Sequence, residues 1–232
     1  MKLAIITGAS TGIGYAAAIQ FIQKGFNVIN VSRRQHDHQA VVNHCCDLSD
    51  KVALSSLAAL LAQEVKHADE VTLVHNAGYL AGDSALAPNE TELETMLAVN
   101  VWAPTLLNKA LLKVMPKNSS VLYVGSTLSE KAVAGSYSYV LSKHAVTGMM
   151  KASCQDLFGL GIHTACICPG FTDTIMLRTH IPDDEVLQTI GANNGFSRLV
   201  EPNEIAQLIV WAHHNPAING SVLHANLGQK EY

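Results

Sequence analysis

Short apolar runs that alternate with longer amphipathic stretches constrain this chain more than any other feature. The runs are LAIIT (3–7), NVINVS (27–32), VVNHC (41–45), VTLVH (71–75), SVLYVG (120–125), IHTACIC (162–168) and SVLH (221–224). Most are apolar on both faces, and strands of that kind belong in a parallel sheet covered on both sides. Between them the spacing predicts helices at about 12–24, 51–67, 90–115, 136–158 and 202–213, the last opening on Pro202. No repeat, low-complexity stretch or Pro/Gly/Ser-rich linker interrupts the pattern. It therefore predicts an α/β fold, one doubly wound domain over residues 1–232 with about seven parallel strands and helices on both faces. One connection is short: eight residues, Arg33–Ala40, separate the second and third strands. A helical crossover takes about a dozen, so that helix is expected to be missing or reduced to a turn.

Composition narrows the class. Charged residues are 15% of the chain and hydrophobic ones 48%, the balance of a packed globular protein. A net charge of −4 argues against a nucleic-acid footprint. No apolar run approaches the roughly 18 residues of a membrane span, and MKLAIITGAS lacks a signal-peptide layout, so a cytoplasmic location without membrane attachment is expected. The five cysteines form neither a disulfide framework nor a zinc pattern and read as ordinary buried thiols. His36, His38 and His44, or His213 and His214, lack metal-ligand spacing, so no metal is expected.

Three features point to chemistry. TGASTGIG follows the first strand and opens a helix; Gly8, Gly12 and Gly14, with Ser10, Thr11 and Ile13 between them, suit a turn that brings backbone N–H groups and a helix N-terminus to a pyrophosphate. The plain alternative is a glycine turn that packs helix on sheet. The second strand ends in Ser32, Arg33 and Arg34, where a carboxylate would bond a ribose hydroxyl pair and an arginine would take a 2′-phosphate. NADP(H) is thus the preferred cofactor, with NAD(H) the alternative; His36 and His38 are minor candidates for the same phosphate. In YSYVLSK, Tyr139 and Lys143 are four apart and share a helical face, whereas Tyr137 lies about 120° away. An ammonium beside a phenol favours the phenolate, which suits an acid or base in carbonyl chemistry. Taken alone, such a pair is common on exposed helices.

These motifs have company: Ser126 ends the strand SVLYVG, thirteen residues before Tyr139, NAG occupies 76–78, Asn100 lies in a later helix, and PGFTDT (169–174) and SRLVEPNEIA (197–206) follow in order. In this arrangement the chain resembles the short-chain dehydrogenase/reductase family over nearly its whole length, which implies a Rossmann domain. The resemblance implies Tyr139 as general acid, Ser126 as the donor that polarises the substrate oxygen, and Lys143 as the group that tunes the tyrosine and bonds the nicotinamide ribose. It implies Asn100 as the holder of a water that resupplies protons. It also implies Asp47 and Leu48 at the adenine, Asn76, Ala77 and Gly78 along the adenosine ribose, and Pro169, Gly170, Thr172 and Thr174 around the nicotinamide. Departures from the family pattern are His75 before NAG, Ala103 after Asn100, HANLG at 224–228, and the clipped connection after Arg33.

A lid over the substrate is expected at about 175–200, with Ile175, Met176, Leu177, Ile181, Leu187, Ile190 and Phe196 as its apolar underside and Arg178 or His180 near a polar substrate group. The plainer account has this segment packed on the domain and Arg178 solvated. The resulting expectation is NADPH-dependent reduction of a small or medium hydrophobic ketone, aldehyde or diketone. The rivals are an NAD-dependent alcohol dehydrogenase and a non-catalytic NADP(H)-sensing regulator. A homodimer or homotetramer is implied by the resemblance.

Overall fold

The apolar runs pair as strands because each carries two faces that only a sheet covered on both sides can hide. The computed structural model describes residues 1–230. Among these, β1 (Lys2–Thr7), β2 (Asn27–Ser32), β3 (Val41–Cys45), β4 (Glu70–His75), β5 (Ser119–Val124), β6 (Ile162–Pro169) and β7 (Ser221–Ala225) form one parallel sheet in the order β3-β2-β1-β4-β5-β6-β7. The order reverses between β1 and β4, so a crevice opens beyond their C-terminal ends. The predicted fold class is the observed one.

Register sorts the residues into layers. Ile29, Ile5, Leu73 and Val121 stand side by side across the sheet and pack against α2 (Lys51–Lys66), α4 (Ala103–Leu111) and α5 (Tyr137–Asp156). On the other face Ile6, Val74, Leu122 and Ala165 meet α1 (Gly12–Gln23) and α8 (Pro202–His213). Residues 33–40 contain no helix, as their number requires.

The predicted helix at 90–115 is not continuous. α3 (Glu90–Leu97) passes through a widened turn, Ala98–Trp102, into α4, which ends at Leu111. The N–H of Ala103 bonds back five residues to the Ala98 carbonyl. Such a turn inserts one residue without ending the helix, so hydrophobic periodicity does not reveal it. Its consequence is local: Asn100 lies within it, buried. Two further helices follow β6, α6 (Ile175–His180) and α7 (Asp184–Ala192).

Where the sheet order reverses, the β1 and β4 ends are laced together. Thr7 Oγ1 accepts the N–H groups of Asn76 and Ala77 at 3.1 and 3.0 Å. Asn76 Nδ2 returns hydrogen bonds to the carbonyls of Thr7 and Gly8 at 3.0 and 3.1 Å. Gly14 closes this junction because a Cβ there would lie 2.4 Å from both Asn76 Nδ2 and the Gly8 carbonyl oxygen. At the opposite end of the sheet His213 of α8 is buried, with Nδ1 2.8 Å from Ser120 Oγ and Nε2 2.8 Å from Glu70 Oε1.

Gly14→Ala forces a methyl into occupied space and should cost about 1–3 kcal/mol, seen as a lower urea midpoint; an unchanged midpoint would mean that the junction has slack. Burial also holds the His75 and His213 imidazoles down to about 4, against hydrogen bonds to the oxygens of Asn108 and Glu70 that act the other way. Both are neutral when folded, while the unfolded chain takes up their protons near pH 6.5. Stability should therefore be full above about pH 6.5 and fall toward pH 4, by about 1.4 kcal/mol per pH unit for each such histidine. His75→Asn should make the fall shallower in thermal melts across that window.

Candidate functional site

The sheet's C-terminal edge gathers the predicted residues. In the loop between β1 and α1, Gly12 has φ +59°, and a Cβ on it would come within 3.1 Å of the Thr174 methyl, leaving a narrow cradle between the two. Thr11 is extended at the start of α1 and its side chain does not cap the helix. Instead its Oγ1 accepts from Arg34 Nη2 at 3.5 Å. The first turn of α1 thus faces the cleft without a side-chain cap, the arrangement that suits an anion. Ser10 and Ile13 are half-buried in this loop.

Arg33 and Arg34 are both exposed and diverge. Arg34 turns to the glycine loop through Thr11. Arg33 acts on the other side, adding to the pull that lowers the Asp47 carboxyl, a shift caused first by the backbone and side-chain hydrogen bonds of Ser49. Asp47 Oδ1 accepts both of those bonds, at 2.9 and 2.7 Å, while Leu48 is buried in the core. Ser32 Oγ donates to the Arg34 carbonyl at 2.6 Å. His36, a candidate for phosphate, is not presented to the cleft. It is 3% exposed, stacked on Tyr15 with ring centroids 4.2 Å apart, and its Nδ1 accepts from the His38 N–H.

At the other end of the cleft, Tyr139 and Lys143 share a face of α5 as the spacing requires. The ammonium lies 5.7 Å from the phenol ring centroid. Lys143 is only 4% exposed and donates to the Val124 carbonyl at 2.9 Å. Among the described residues no carboxylate pairs with it. Gly78 faces this group: a Cβ there would lie 3.7 Å from Lys143 Nζ and 3.8 Å from Asn100 Oδ1. The widened turn between α3 and α4 presents Asn100, which accepts from the Tyr79 N–H at 2.7 Å and donates to the Tyr79 carbonyl and Ser142 Oγ, both at 3.0 Å.

Ser126 Oγ accepts from the Leu128 N–H at 3.1 Å, capping the short turn Thr127–Ser129, which leaves its own proton free to donate. Tyr139 is half-buried, and no protein group among the described residues bonds its hydroxyl. Tyr137, off that face, is 44% exposed. Pro169 ends β6; Gly170 packs against Asn226, and Thr172 Oγ1 donates to the Gly170 carbonyl at 3.0 Å. Thr174 caps α6 by accepting from the Leu177 N–H at 3.2 Å.

In the segment after it Leu187 is buried, Leu177, Ile181 and Ile190 are half-buried, and Ile175, Met176 and Phe196 are exposed. Arg178 is committed to Asp173 through bonds of 2.6 and 2.9 Å and reaches Asp184 at 3.2 Å. His180 clasps α6 to the body, its ring nitrogens 2.9 and 2.8 Å from the carbonyl oxygens of Met176 and Leu80. Of the cysteines, Cys45 is exposed and Cys154 half-exposed, so only Cys46, Cys166 and Cys168 fit the buried reading.

Sequence reasoning missed Asn30, Asn43 and Ser142. Asn30 sits with no exposure inside an apolar strand, and a lone amide in such a run is itself a signal. Ser142 adjoins Lys143, with nothing in the sequence to mark it as the partner of Asn100.

The family model described as Enoyl-(Acyl carrier protein) reductase matches residues 8–230. The 3-oxoacyl-(acyl-carrier-protein) reductase FabG of Vibrio harveyi is 28% identical over 237 residues, 98% of this chain and 96% of that one. Dehydrogenase/reductase SDR family member 6 of Aquarana catesbeiana is 29% identical over 224 residues, 90% of this chain and 89% of its own. Among solved structures, a short chain dehydrogenase family protein from Francisella tularensis superposes with a TM-score of 0.89 at 25% identity, covering 97% of each chain. Thermoplasma acidophilum aldohexose dehydrogenase in ligand-free form shares the fold with a TM-score of 0.90 at 23% identity, over 98% of this chain and 93% of the other. With the glycine loop at the switch point and the β-edge residues in this order, the chain belongs to the short-chain dehydrogenase/reductase family of oxidoreductases.

Proposed function

We propose that the chain is an NADPH-dependent reductase of a small or medium hydrophobic carbonyl compound, with Tyr139 as its general acid. The observation that carries this reading is the convergence of Lys143 Nζ and Asn100 Oδ1 on Gly78, with the Tyr139 ring beside the ammonium and its hydroxyl without a protein partner. A bound nicotinamide cofactor supplies the hydride. The residues present fit such a group: the cradle between Gly12 and Thr174, the N-terminus of α1 without a side-chain cap, and Arg34 against Thr11 suit its phosphates. Arg33 and Arg34, with no carboxylate at the end of β2, favour the 2′-phosphorylated form.

The chain's own groups then divide the remaining work. Ser126 donates its proton in a hydrogen bond to the substrate oxygen and so fixes and polarises it. Tyr139 gives up its proton to that oxygen as negative charge develops there. Lys143 places a cation beside the phenolate left behind, which stabilises it. Asn100, anchored through Tyr79 and Ser142, orients a water toward the ammonium for return of the proton. Exposed Ile175 and Met176, next to Thr174, support an apolar substrate, and the relatives named as 3-oxoacyl reductases support reduction of a ketone. We also place the protein as a homodimer or homotetramer, a reading supported by exposed Trp102 and Leu141 on the α3–α5 side and Trp211 on α8.

Tyr139→Phe removes the transferable proton while keeping the ring, so carbonyl-dependent NADPH oxidation should fall by about 10²-fold or more. Turnover equal to wild type would remove Tyr139 from the mechanism. Cofactor binding with no turnover on a broad panel of ketones and aldehydes would favour the sensing regulator instead.

A further inference from the structure

The loop that carries Arg34 has no helix to hold it, yet it is fastened at both ends. Asn30, fully buried in β2, accepts the Ala9 N–H of the glycine loop at 3.1 Å through Oδ1. Its Nδ2 donates to the Arg34 carbonyl at 3.1 Å and to Asn43 Oδ1 at 2.8 Å. Asn43, on the edge strand β3, makes a reciprocal pair with the His36 backbone: the His36 N–H donates to Oδ1 at 2.8 Å, and Nδ2 donates to the His36 carbonyl at 3.0 Å. Together the two asparagines grip the backbone on both sides of Gln35. The stack of His36 on Tyr15, the residue after Gly14, ties the same loop to the first turn of α1.

We infer that Asn30 and Asn43 are positioning residues for the 2′-phosphate of the cofactor, setting Arg34 beside Thr11 before any ligand arrives; this rests on the NADP(H) reading above. An exposed loop must otherwise be ordered on binding, at a cost in backbone entropy for every residue fixed. A clamp formed within the protein removes part of that cost in advance. Asn30 accepts from the glycine loop and donates to the arginine loop with one side chain, so it fixes the distance between the pyrophosphate cradle and the guanidinium. The Asn43 side chain bonds only Asn30, the His36 backbone and the Val41 carbonyl, so it reaches Arg34 through Asn30 and His36. Its contribution should therefore appear for a ligand that carries the 2′-phosphate and vanish for one that lacks it.

The test is calorimetric titration of the full chain with 2′,5′-ADP and with 5′-AMP, for wild type, Arg34→Ala, Asn43→Ala and the double variant. Asn43 lies on an edge strand, and its variant should keep a cooperative melt; Ser32→Ala, which removes the other donor to the Arg34 carbonyl, is the second probe if it does not. Wild type should prefer 2′,5′-ADP, and Arg34→Ala should erase the preference. Asn43→Ala should weaken 2′,5′-ADP by about threefold to tenfold, the worth of a lost hydrogen bond or two, leave 5′-AMP within about twofold on the same scale, and add nothing in the Arg34→Ala background. Equal wild-type affinity for the two ligands would overturn both this inference and the NADP(H) reading. A preference that survives Arg34→Ala would overturn the inference alone. So would an Asn43→Ala effect that is absent, equal on both ligands, or undiminished without Arg34.

Discussion

Everything in the cleft is referred to the seam between β1 and β4. A parallel sheet whose order reverses leaves two strand ends diverging, with their last N–H and C=O groups unsatisfied unless side chains take them. Thr7 and Asn76 do this reciprocally, hydroxyl to amide and amide to carbonyl. That exchange pulls the 76–78 segment onto the glycine loop so closely that Gly14 admits no side chain. It also sets where Gly78 stands, and Gly78 meets Lys143 and Asn100. The glycine loop and the group of Lys143 and Asn100 are therefore positioned from one structural reference.

Lys143 is a buried cation in the cleft. An ammonium at 4% exposure without a carboxylate is unfavourable by itself. The Val124 carbonyl at 2.9 Å offsets only part of that cost. Buried amides nearby are hydrogen-bonded: Asn100 makes three hydrogen bonds, and Asn108 links His75 Nε2 to the Tyr123 hydroxyl, while His75 Nδ1 has no protein partner among the described residues. The Lys143 ammonium lies 5.7 Å from the ring centroid of Tyr139, one helical turn away.

Legibility in the sequence followed the range of the interaction. Tyr139 and Lys143 were readable because an i,i+4 relation is local geometry, and the missing crossover helix was readable because eight residues cannot contain one. The strand runs were readable because burial on both faces leaves a compositional mark. The widened turn at Ala98–Trp102 was not, since one extra residue per turn barely disturbs an apolar stripe, and so the span 90–115 was drawn as one helix. Arg178 was read as available or solvated, although Asp173, five residues before it, already holds it by two bonds. The Asn30 and Asn43 clamp depends on strand register, Asn30 beside Asn43, which periodicity alone does not supply.

The two ends of the cleft are also built differently, and that difference bears on what can change. At the glycine-loop end, Thr7, Asn30, Asn43 and Asn76 hydrogen-bond β1, the glycine loop and residues 34, 36, 76 and 77 together, so substitution there disturbs several loops. Beyond β6, α6 is tied by its Thr174 cap, the His180 clasp and exposed ion pairs of Arg178, and its apolar side chains Ile175 and Met176 are exposed. Exposed ion pairs contribute little stability. That segment can therefore exchange residues, and with them the shape offered to a substrate, without disturbing the seam.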